Sequence, residues 1–284
     1  MKTIQIDGVT IDLAPADSLA RGWVGNMEVL DQLLACWMKV HESDLPLNPR
    51  LIGRPGVGKT TLACAAAKSL NKPFWIFQGT MDTRPEDLLI LPVINAEGKI
   101  KYVASGIVTA MIEGGVAILD EGNRMGEKSW ASLAPLLDHR RYIESIVAGL
   151  KIQAHPEFRF CTTMNEDAST FEIPEYIQSR LQPQIYIDFA DADEEHEIIK
   201  ANMPFAPDEI IAYVVAFLQN SHIHDEPFSV RDGINITRMI LKIGQSKKIL
   251  NISKSAAIAP TELRQLLHDA VMGILGDDAL RYIV

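Results

Sequence analysis

The octapeptide Gly53-Arg54-Pro55-Gly56-Val57-Gly58-Lys59-Thr60 constrains this 284-residue chain more than any other feature. It satisfies G-x-x-x-x-G-K-[ST] at every position, and it separates an apolar stretch ending at Ile52 from the alanine-rich run 63–67. A strand before such a segment and a helix after it form the context in which glycines let the backbone curl. Successive N–H groups and the helix N-terminus then point at phosphate oxygens. In that arrangement Lys59 neutralises the β and γ phosphates and Thr60 offers its hydroxyl to Mg²⁺. Gly53, Pro55, Gly56, Val57, Gly58 and Thr61 complete the expected cradle. With glycine at about 7% of positions, a chain of this length matches the pattern by accident on the order of 1% of the time.

Around this segment the chain alternates short apolar strands with helices. Strands are expected at 50–52, 74–77, 116–119, 158–163 and 185–189, and helices at 26–40, 59–70, 108–113, 127–137 and 174–181. Near-continuous apolar strands separated by helices predict a parallel sheet covered on both faces, an α/β doubly wound architecture. A hairpin around Asp7-Gly8 opens the chain. Two further hairpins interrupt the rhythm, at 92–102 around Ala96-Glu97-Gly98 and at 141–153 around Ala148-Gly149. After Phe189 the pattern becomes helical only, which predicts a large domain over 1–189 and a small all-helical domain over 190–284.

Two strand ends carry further chemistry. Val116-Ala117-Ile118-Leu119 ends in Asp120-Glu121, and adjacent strand residues point to opposite sides, so the acids can take different tasks. Asp120 suits a Mg²⁺ shell, and Glu121 suits polarising an attacking water; solvated charge after a core strand is the plain alternative. Asn165 follows the strand at 158–163, at the edge where ligands of open α/β sheets collect. It can hydrogen-bond a γ-phosphate and a lytic water, or serve as a turn residue.

Taken in order, these motifs resemble the AAA+ ATPases. More narrowly the chain is similar to their MoxR-like branch, which includes the CbbQ/NorQ and GvpN types. The residues that carry this are Asp120-Glu121-Gly122-Asn123-Arg124, Leu136-Leu137-Asp138-His139-Arg140-Arg141, Ala154-His155-Pro156-Glu157-Phe158-Arg159-Phe160 and Thr163-Met164-Asn165. The two inserted hairpins fall where that branch has its helix-2 and pre-sensor-1 inserts, and Val24-Gly25-Asn26-Met27-Glu28-Val29 looks like its adenine-side box, with Val24 and Gly25 against the base.

The resemblance implies a P-loop NTPase with a helical lid and nucleotide in the crevice between the domains. It implies ATP and Mg²⁺ as cofactors, with Thr60 and Asp120 as metal ligands and Glu121 and Asn165 in hydrolysis. Arg180 matches the finger that reaches a neighbouring subunit's γ-phosphate, and Arg231 matches sensor 2 on the lid. On the residues alone, Arg180 could instead pair with Glu172 or Glu175, and Arg231 could open a helix with Asp232. Arg124, Arg140 and Arg141 are further candidates for contacts between subunits. Gln78 is a candidate restraint on Glu121, similar to the family's glutamate switch. Gly122 stands where the branch more often has a bulky apolar residue, which puts the rigidity of Glu121 in question.

The implied activity is ATP hydrolysis by a homo-oligomeric, hexameric ring that remodels a protein client, in this family often a von Willebrand A-domain protein. The alternative is a motor of a nucleic-acid or defence system driven by ATP or GTP, similar to McrB-type relatives. Composition bears on the choice. Lys plus Arg is 27 and Asp plus Glu is 37, a formal charge of 27 − 37 = −10 that repels phosphate backbones on average and argues against nucleic acid. At 47% hydrophobic and 23% charged residues the chain reads as an ordinary folded protein. The alternating N-terminus does not resemble a signal peptide and no apolar run reaches membrane-spanning length, so a cytoplasmic chain without a membrane partner is expected. Cys36, Cys64 and Cys161 are too scattered for a disulfide framework or zinc site. His222-Ile223-His224 is expected to be a loop or helix end, with no metal other than Mg²⁺.

Overall fold

In this computed structural model residues 2–18, 22–166, 172–249 and 259–283 are described. They fall into two compact units. The first comprises Met1–Trp23, Met27–Gly53 and Gly58–Ile187; the second comprises Val24–Asn26, Arg54–Val57 and Asp188–Val284.

The first unit opens with the hairpin of β1 (Thr3–Ile6) and β2 (Val9–Asp12). Asp7 at φ 46° and Gly8 at φ 82° provide the two left-handed residues that a tight antiparallel turn requires. Then follow α1 (Met27–Trp37), β3 (Arg50–Gly53), α2 (Lys59–Ser69), β4 (Phe74–Gln78), α3 (Pro85–Leu88), β5 (Ile90–Ile94), β6 (Ile100–Ala104), α4 (Gly106–Glu113) and β7 (Val116–Asp120). A 3₁₀ turn (Gly122–Arg124) leads to α5 (Glu127–Leu133), β8 (Tyr142–Ser145), β9 (Leu150–Gln153), β10 (Arg159–Asn165), α6 (Glu175–Gln178) and β11 (Gln184–Tyr186).

Five strands form the central sheet in the order β11-β3-β10-β7-β4, every pair parallel. The strand β10 in its middle is buried along its whole length. The register brings functional residues level at the carboxyl edge, with Asn165 opposite Gly53 and Gln78 opposite Asp120. Small side chains let α2 lie close to the sheet, since Ala63, Ala65, Ala66 and Ala67 are all buried. The doubly wound α/β architecture read from the sequence is the observed one.

Both inserted hairpins form, as β5–β6 and β8–β9. The first does not stand alone: β2 pairs in parallel with β6, so the N-terminal hairpin and the insert make one four-stranded sheet in the order β1-β2-β6-β5. Lys101 reinforces it with an ion pair to the buried carboxylate of Asp12 at 2.9 Å.

Several helices end earlier than the apolar spacing predicts. The helix α1 stops at Trp37 because the buried Arg159 guanidinium takes its carbonyl, Nε donating at 2.7 Å. The helix α5 stops at Leu133 because Pro135 lacks an N–H and cannot continue the ladder. The helix α6 keeps only Glu175–Gln178, and Arg180 and Leu181 follow in a looser turn bonded to the Ile177 carbonyl at 2.9 and 3.1 Å. The short α3, with proline at its start, carries no apolar period and escapes sequence reading.

In the second unit the described residues after Phe189 are helical: α7 (Ala192–Asn202), α8 (Asp208–Ile223), α9 (Val230–Ser246), α10 (Pro260–Leu275) and a 3₁₀ turn (Asp277–Tyr282). Asp191 caps α7 by accepting from the Glu194 N–H, and Ser229 with Asp232 forms a reciprocal capping box on α9. An apolar core running from Ile199 through Phe217 and Ile240 to Tyr282 holds these helices together.

Candidate functional site

Gly58 precedes α2 at φ 99°, where an L side chain would be strained, and a Cβ there would lie 3.3 Å from the Trp23 ring. Lys59 is buried and its ammonium donates to the Gly53 carbonyl at 2.8 Å, folding the side chain back along the glycine-rich segment. Thr61 is half-buried one residue past Thr60, and Thr60 donates its hydroxyl to Asp120 Oδ1 at 2.6 Å. A hydroxyl and a carboxylate brought together in this way are the hard oxygen donors that Mg²⁺ prefers, so the residues present fit that ion.

Asp120 ends β7, and Glu121 follows it in the left-handed region at φ 53°. That backbone turn sends the two carboxylates apart. Asp120 Oδ1 accepts from the hydroxyls of both Thr60 and Thr163, each at 2.6 Å. The carboxylate of Glu121 is held elsewhere: Asn165 Nδ2 donates to Oε1 and Gln78 Nε2 to Oε2, both at 2.9 Å, while Arg124 forms an ion pair at 2.9 Å. The Thr163 hydroxyl also accepts the Glu121 N–H at 2.9 Å.

Gly122 does not loosen this arrangement, contrary to the expectation from its small size. A Cβ there would stand 2.4 Å from Thr162 Oγ1 and 2.9 Å from the Trp130 ring. The indole of Trp130 occupies the space a larger side chain would take and donates to the Gly122 carbonyl at 3.2 Å. Asn123 ties the same turn to the Asn165 carbonyl at 2.8 Å.

Arg180 lies in the turn after α6. Its ion pair is with Asp138, Nε to Oδ2 at 3.2 Å, and not with Glu172 or Glu175. It also donates to the Tyr176 carbonyl. Arg140 is exposed and bound to the same Asp138 carboxylate, and Arg124 faces Glu121. Arg141 departs from its expected role as a surface contact. It is buried, donates to the Phe158 carbonyl at 2.9 Å and stacks on that ring, and burial lowers its pKa to about 10.

In the second unit, Gly56 sits at φ 88°, and a Cβ there would lie 2.1 Å from Ser229 Oγ and 3.4 Å from Arg231 Cβ. Arg231 thus stands exposed beside the backbone of Gly56, with Pro55 exposed and Val57 half-buried on either side. Asp232 is engaged by Ser229, so it is a helix cap and not a partner for Arg231. Arg54 donates to the carbonyls of Asp225 and Glu226 at 3.2 and 3.3 Å and lies over the Phe189 ring. Val24 and Gly25 are half-buried, Gly25 at φ 144°. His222 closes α8 and stacks on Phe189 at 3.9 Å, and burial lowers its pKa. Among the described residues no group of three or more His, Cys, Asp and Glu could hold a further metal ion.

Thr163 is the residue that sequence reading left without a role. The signal was present, because strand alternation puts residues 163 and 165 on one face. Asp138 and Asn48 carry no comparable signal.

Residues 50–181 match the family model described as AAA domain (dynein-related subfamily). Uncharacterized proteins of Staphylococcus haemolyticus and Staphylococcus aureus are 28% and 29% identical over 209 residues, covering 69% of this chain and 79% of each relative. Among solved structures, a RuvB variant of Thermotoga maritima superposes with a TM-score of 0.61 at 19% identity, over 91% of this chain and 72% of that one. The Thermotoga maritima RuvB Holliday junction branch migration motor gives a TM-score of 0.57 at 20% identity, over 90% and 72%. At such identities the likeness is one of fold. No helix among the described residues is long and apolar enough to cross a membrane.

Proposed function

We propose that this chain, whose residues 50–181 match the model of an AAA domain (dynein-related subfamily), is a MoxR-like remodelling ATPase of the AAA+ kind that hydrolyses ATP in a hexameric ring and acts on a protein client in the cytoplasm. One observation carries the catalytic part of this reading: the two acids at the end of β7 diverge, Asp120 to Thr60 at 2.6 Å and Glu121 to Asn165 and Gln78 at 2.9 Å. A pair that diverges can hold a cation with one carboxylate and activate water with the other.

In this reading the N–H groups of the glycine-rich segment and Lys59 bind the phosphates, and Val24 and Gly25 line the adenine. Thr60 and Asp120 hold Mg²⁺, which when bound offsets charge on the phosphate oxygens. Glu121 accepts a proton from water as the water oxygen bonds to the γ-phosphorus and the bond to the bridging β–γ oxygen breaks, giving ADP and phosphate. Asn165 orients that water and keeps Glu121 in place, and Gln78 holds Glu121 back until the site is complete. Arg180 supplies its guanidinium to a neighbour's γ-phosphate, and Arg231 senses the nucleotide from the helical domain.

The inserted hairpins support a protein client over a nucleic acid. Their tips expose Ile94 at 74%, Ile100 at 64% and Ile146 at 91%, apolar surface that does not complement a phosphate backbone. A von Willebrand A-domain protein is the client class the branch resemblance suggests.

The test is capture with the Glu121→Gln variant in ATP, followed by hydrolysis assays of the wild-type chain with and without duplex DNA and RNA at physiological salt. A protein retained only in ATP, with no stimulation by nucleic acid, is expected. Stoichiometric, salt-sensitive duplex binding with matching stimulation overturns the reading in favour of an ATP- or GTP-driven motor of the McrB type.

A further inference from the structure

Asp138 lies in the turn that follows α5 and gathers two arginines from different parts of the first unit. Arg140 Nε reaches Oδ1 and Oδ2 at 3.0 and 3.2 Å, its Nη2 reaches Oδ2 at 2.8 Å, and its backbone N–H reaches Oδ1 at 3.0 Å. Arg180 Nε shares Oδ2 at 3.2 Å. The main chain is pinned at the same two places by one buried amide. Asn48, 7% exposed, donates to the Leu137 carbonyl at 2.9 Å and to the Arg180 carbonyl at 3.3 Å. One amide therefore fixes the two backbones and one carboxylate fixes the two side chains.

The Asp138 side chain is only 13% exposed, and the hydrogen bonds from Arg140, then those from Arg180, hold its carboxyl well below the usual carboxylate range. Its charge is thus constant at any physiological pH. One carboxylate between two guanidinium groups leaves a net charge of about +1. Asp138 takes Arg140 through Nε and Nη2 and Arg180 through Nε alone, so neither guanidinium spends all of its donors on that carboxylate. A long arginine on a turn otherwise gives up rotamer freedom when it is ordered. A partner that has already ordered it removes that cost from the moment of use.

We infer that Asp138 is a positioning residue for a two-arginine unit, Arg140 with Arg180, which this chain presents to the polyphosphate held by a second copy of itself. The inference rests on the reading of Arg180 as a residue that acts on a neighbour. Asp138 touches no nucleotide. It acts through the two guanidinium groups, and its effect appears in the neighbour's pocket and not in its own.

The experiment compares Asp138→Asn, Asp138→Glu and Arg180→Ala in the full chain. Nucleotide affinity and melting temperature are measured beside turnover. Misplacing a reacting group by about 1 Å costs up to about 10²-fold in rate. Asp138→Asn alone is therefore expected to lose turnover by about tenfold to a hundredfold with nucleotide affinity unchanged, and Asp138→Glu to regain part of it. Added to a variant that already lacks both guanidinium groups, Arg140→Ala with Arg180→Ala, Asp138→Asn should cause no further loss, because Asp138 acts only through those two side chains. Mixed with Lys59→Ala subunits, whose arginines are intact, Asp138→Asn subunits should recover activity.

Wild-type turnover in Asp138→Asn, with Arg180→Ala silent, overturns the inference and leaves the reading of Arg180 standing. Mixed assemblies that form yet recover nothing also overturn it, since Asp138 then serves its own pocket or fold. Full turnover in Arg180→Ala overturns the underlying reading and the inference with it.

Discussion

The hydroxyl of Thr163 donates to Asp120 Oδ1 at 2.6 Å while accepting the N–H of Glu121 at 2.9 Å. One side chain on β10 is therefore bonded both to the acid that ends β7 and to the backbone of the acid that follows it. Thr163→Val preserves shape and removes both bonds. An orphaned, part-buried N–H and a carboxylate that has lost one donor cost about 1 kcal/mol. The expected outcome is a lower melting temperature and a higher Mg²⁺ requirement for hydrolysis. A Mg²⁺ titration that superposes on the wild-type curve contradicts the role given to Thr163.

Lys59→Ala and Glu121→Gln should separate binding from chemistry. Lys59 supplies positive charge in the ground state, whereas Glu121 acts only when water attacks. Nucleotide affinity should collapse in the first. In the second it should persist while turnover falls by about 10²- to 10⁴-fold, the usual contribution of a general base. Equal loss of affinity in both variants contradicts the assignment.

Dilution tests the ring. A positive finger of this kind contributes about 10³ to 10⁵ in rate in phosphoryl transfer, so a chain whose pocket lacks a neighbour's Arg180 should bind ATP and barely hydrolyse it. Specific activity should rise with protein concentration. Arg180→Ala and Lys59→Ala subunits, each silent alone, should regain partial activity when mixed. Dilute monomer that works at the full rate excludes a finger acting between chains.

Glu195 gives the helical unit a pH dependence. It is fully buried in α7, accepts from Gln219 at 3.0 Å, and its other oxygen has no partner among the described residues. Burial raises its pKa from 4.5 to about 7. The unfolded chain gives up this proton near 4.5 and the folded chain near 7, so between those values the folded state binds more protons. Its stability then falls as pH rises through that window, by on the order of 3 kcal/mol at most. Glu195→Gln, which stays neutral, should flatten the decline. Melting curves from pH 5 to pH 8 that run parallel in variant and wild type contradict this.

Much of the sheet was legible because its strands are apolar runs bounded by glycine and proline, and such runs have few other places to lie. The position of the two acids at a strand end was legible for a similar reason, but strand alternation is not what parts them: Glu121 lies past β7 at φ 53°, and that turn sends its carboxylate away from Asp120. What escaped depends on distance along the chain. Nothing in the order of residues indicates that Asp138 would meet Arg180, 42 positions away, in place of the nearby Glu172 or Glu175. Trp130 filling the space above Gly122, 8 positions earlier, is likewise a matter of packing. Burial of Arg141 follows from a carbonyl of Phe158 that no motif announces.

The parallel pairing of β2 with β6 makes the first insert a braced beam and not a free finger. Tyr102 and Val103 on the insert are stitched to Ile11 and Asp12 near the start of the chain. Lys101 adds a strut to Asp12. A load applied at Ile94 or Ile100 is then borne by four strands, and two of them return it to the body of the domain close to Leu13, whose side chain is buried in the core. The first two strands thereby act as the anchor of the insert. Any shortening there would be felt first as lost stiffness at the tip, before the nucleotide pocket had changed at all.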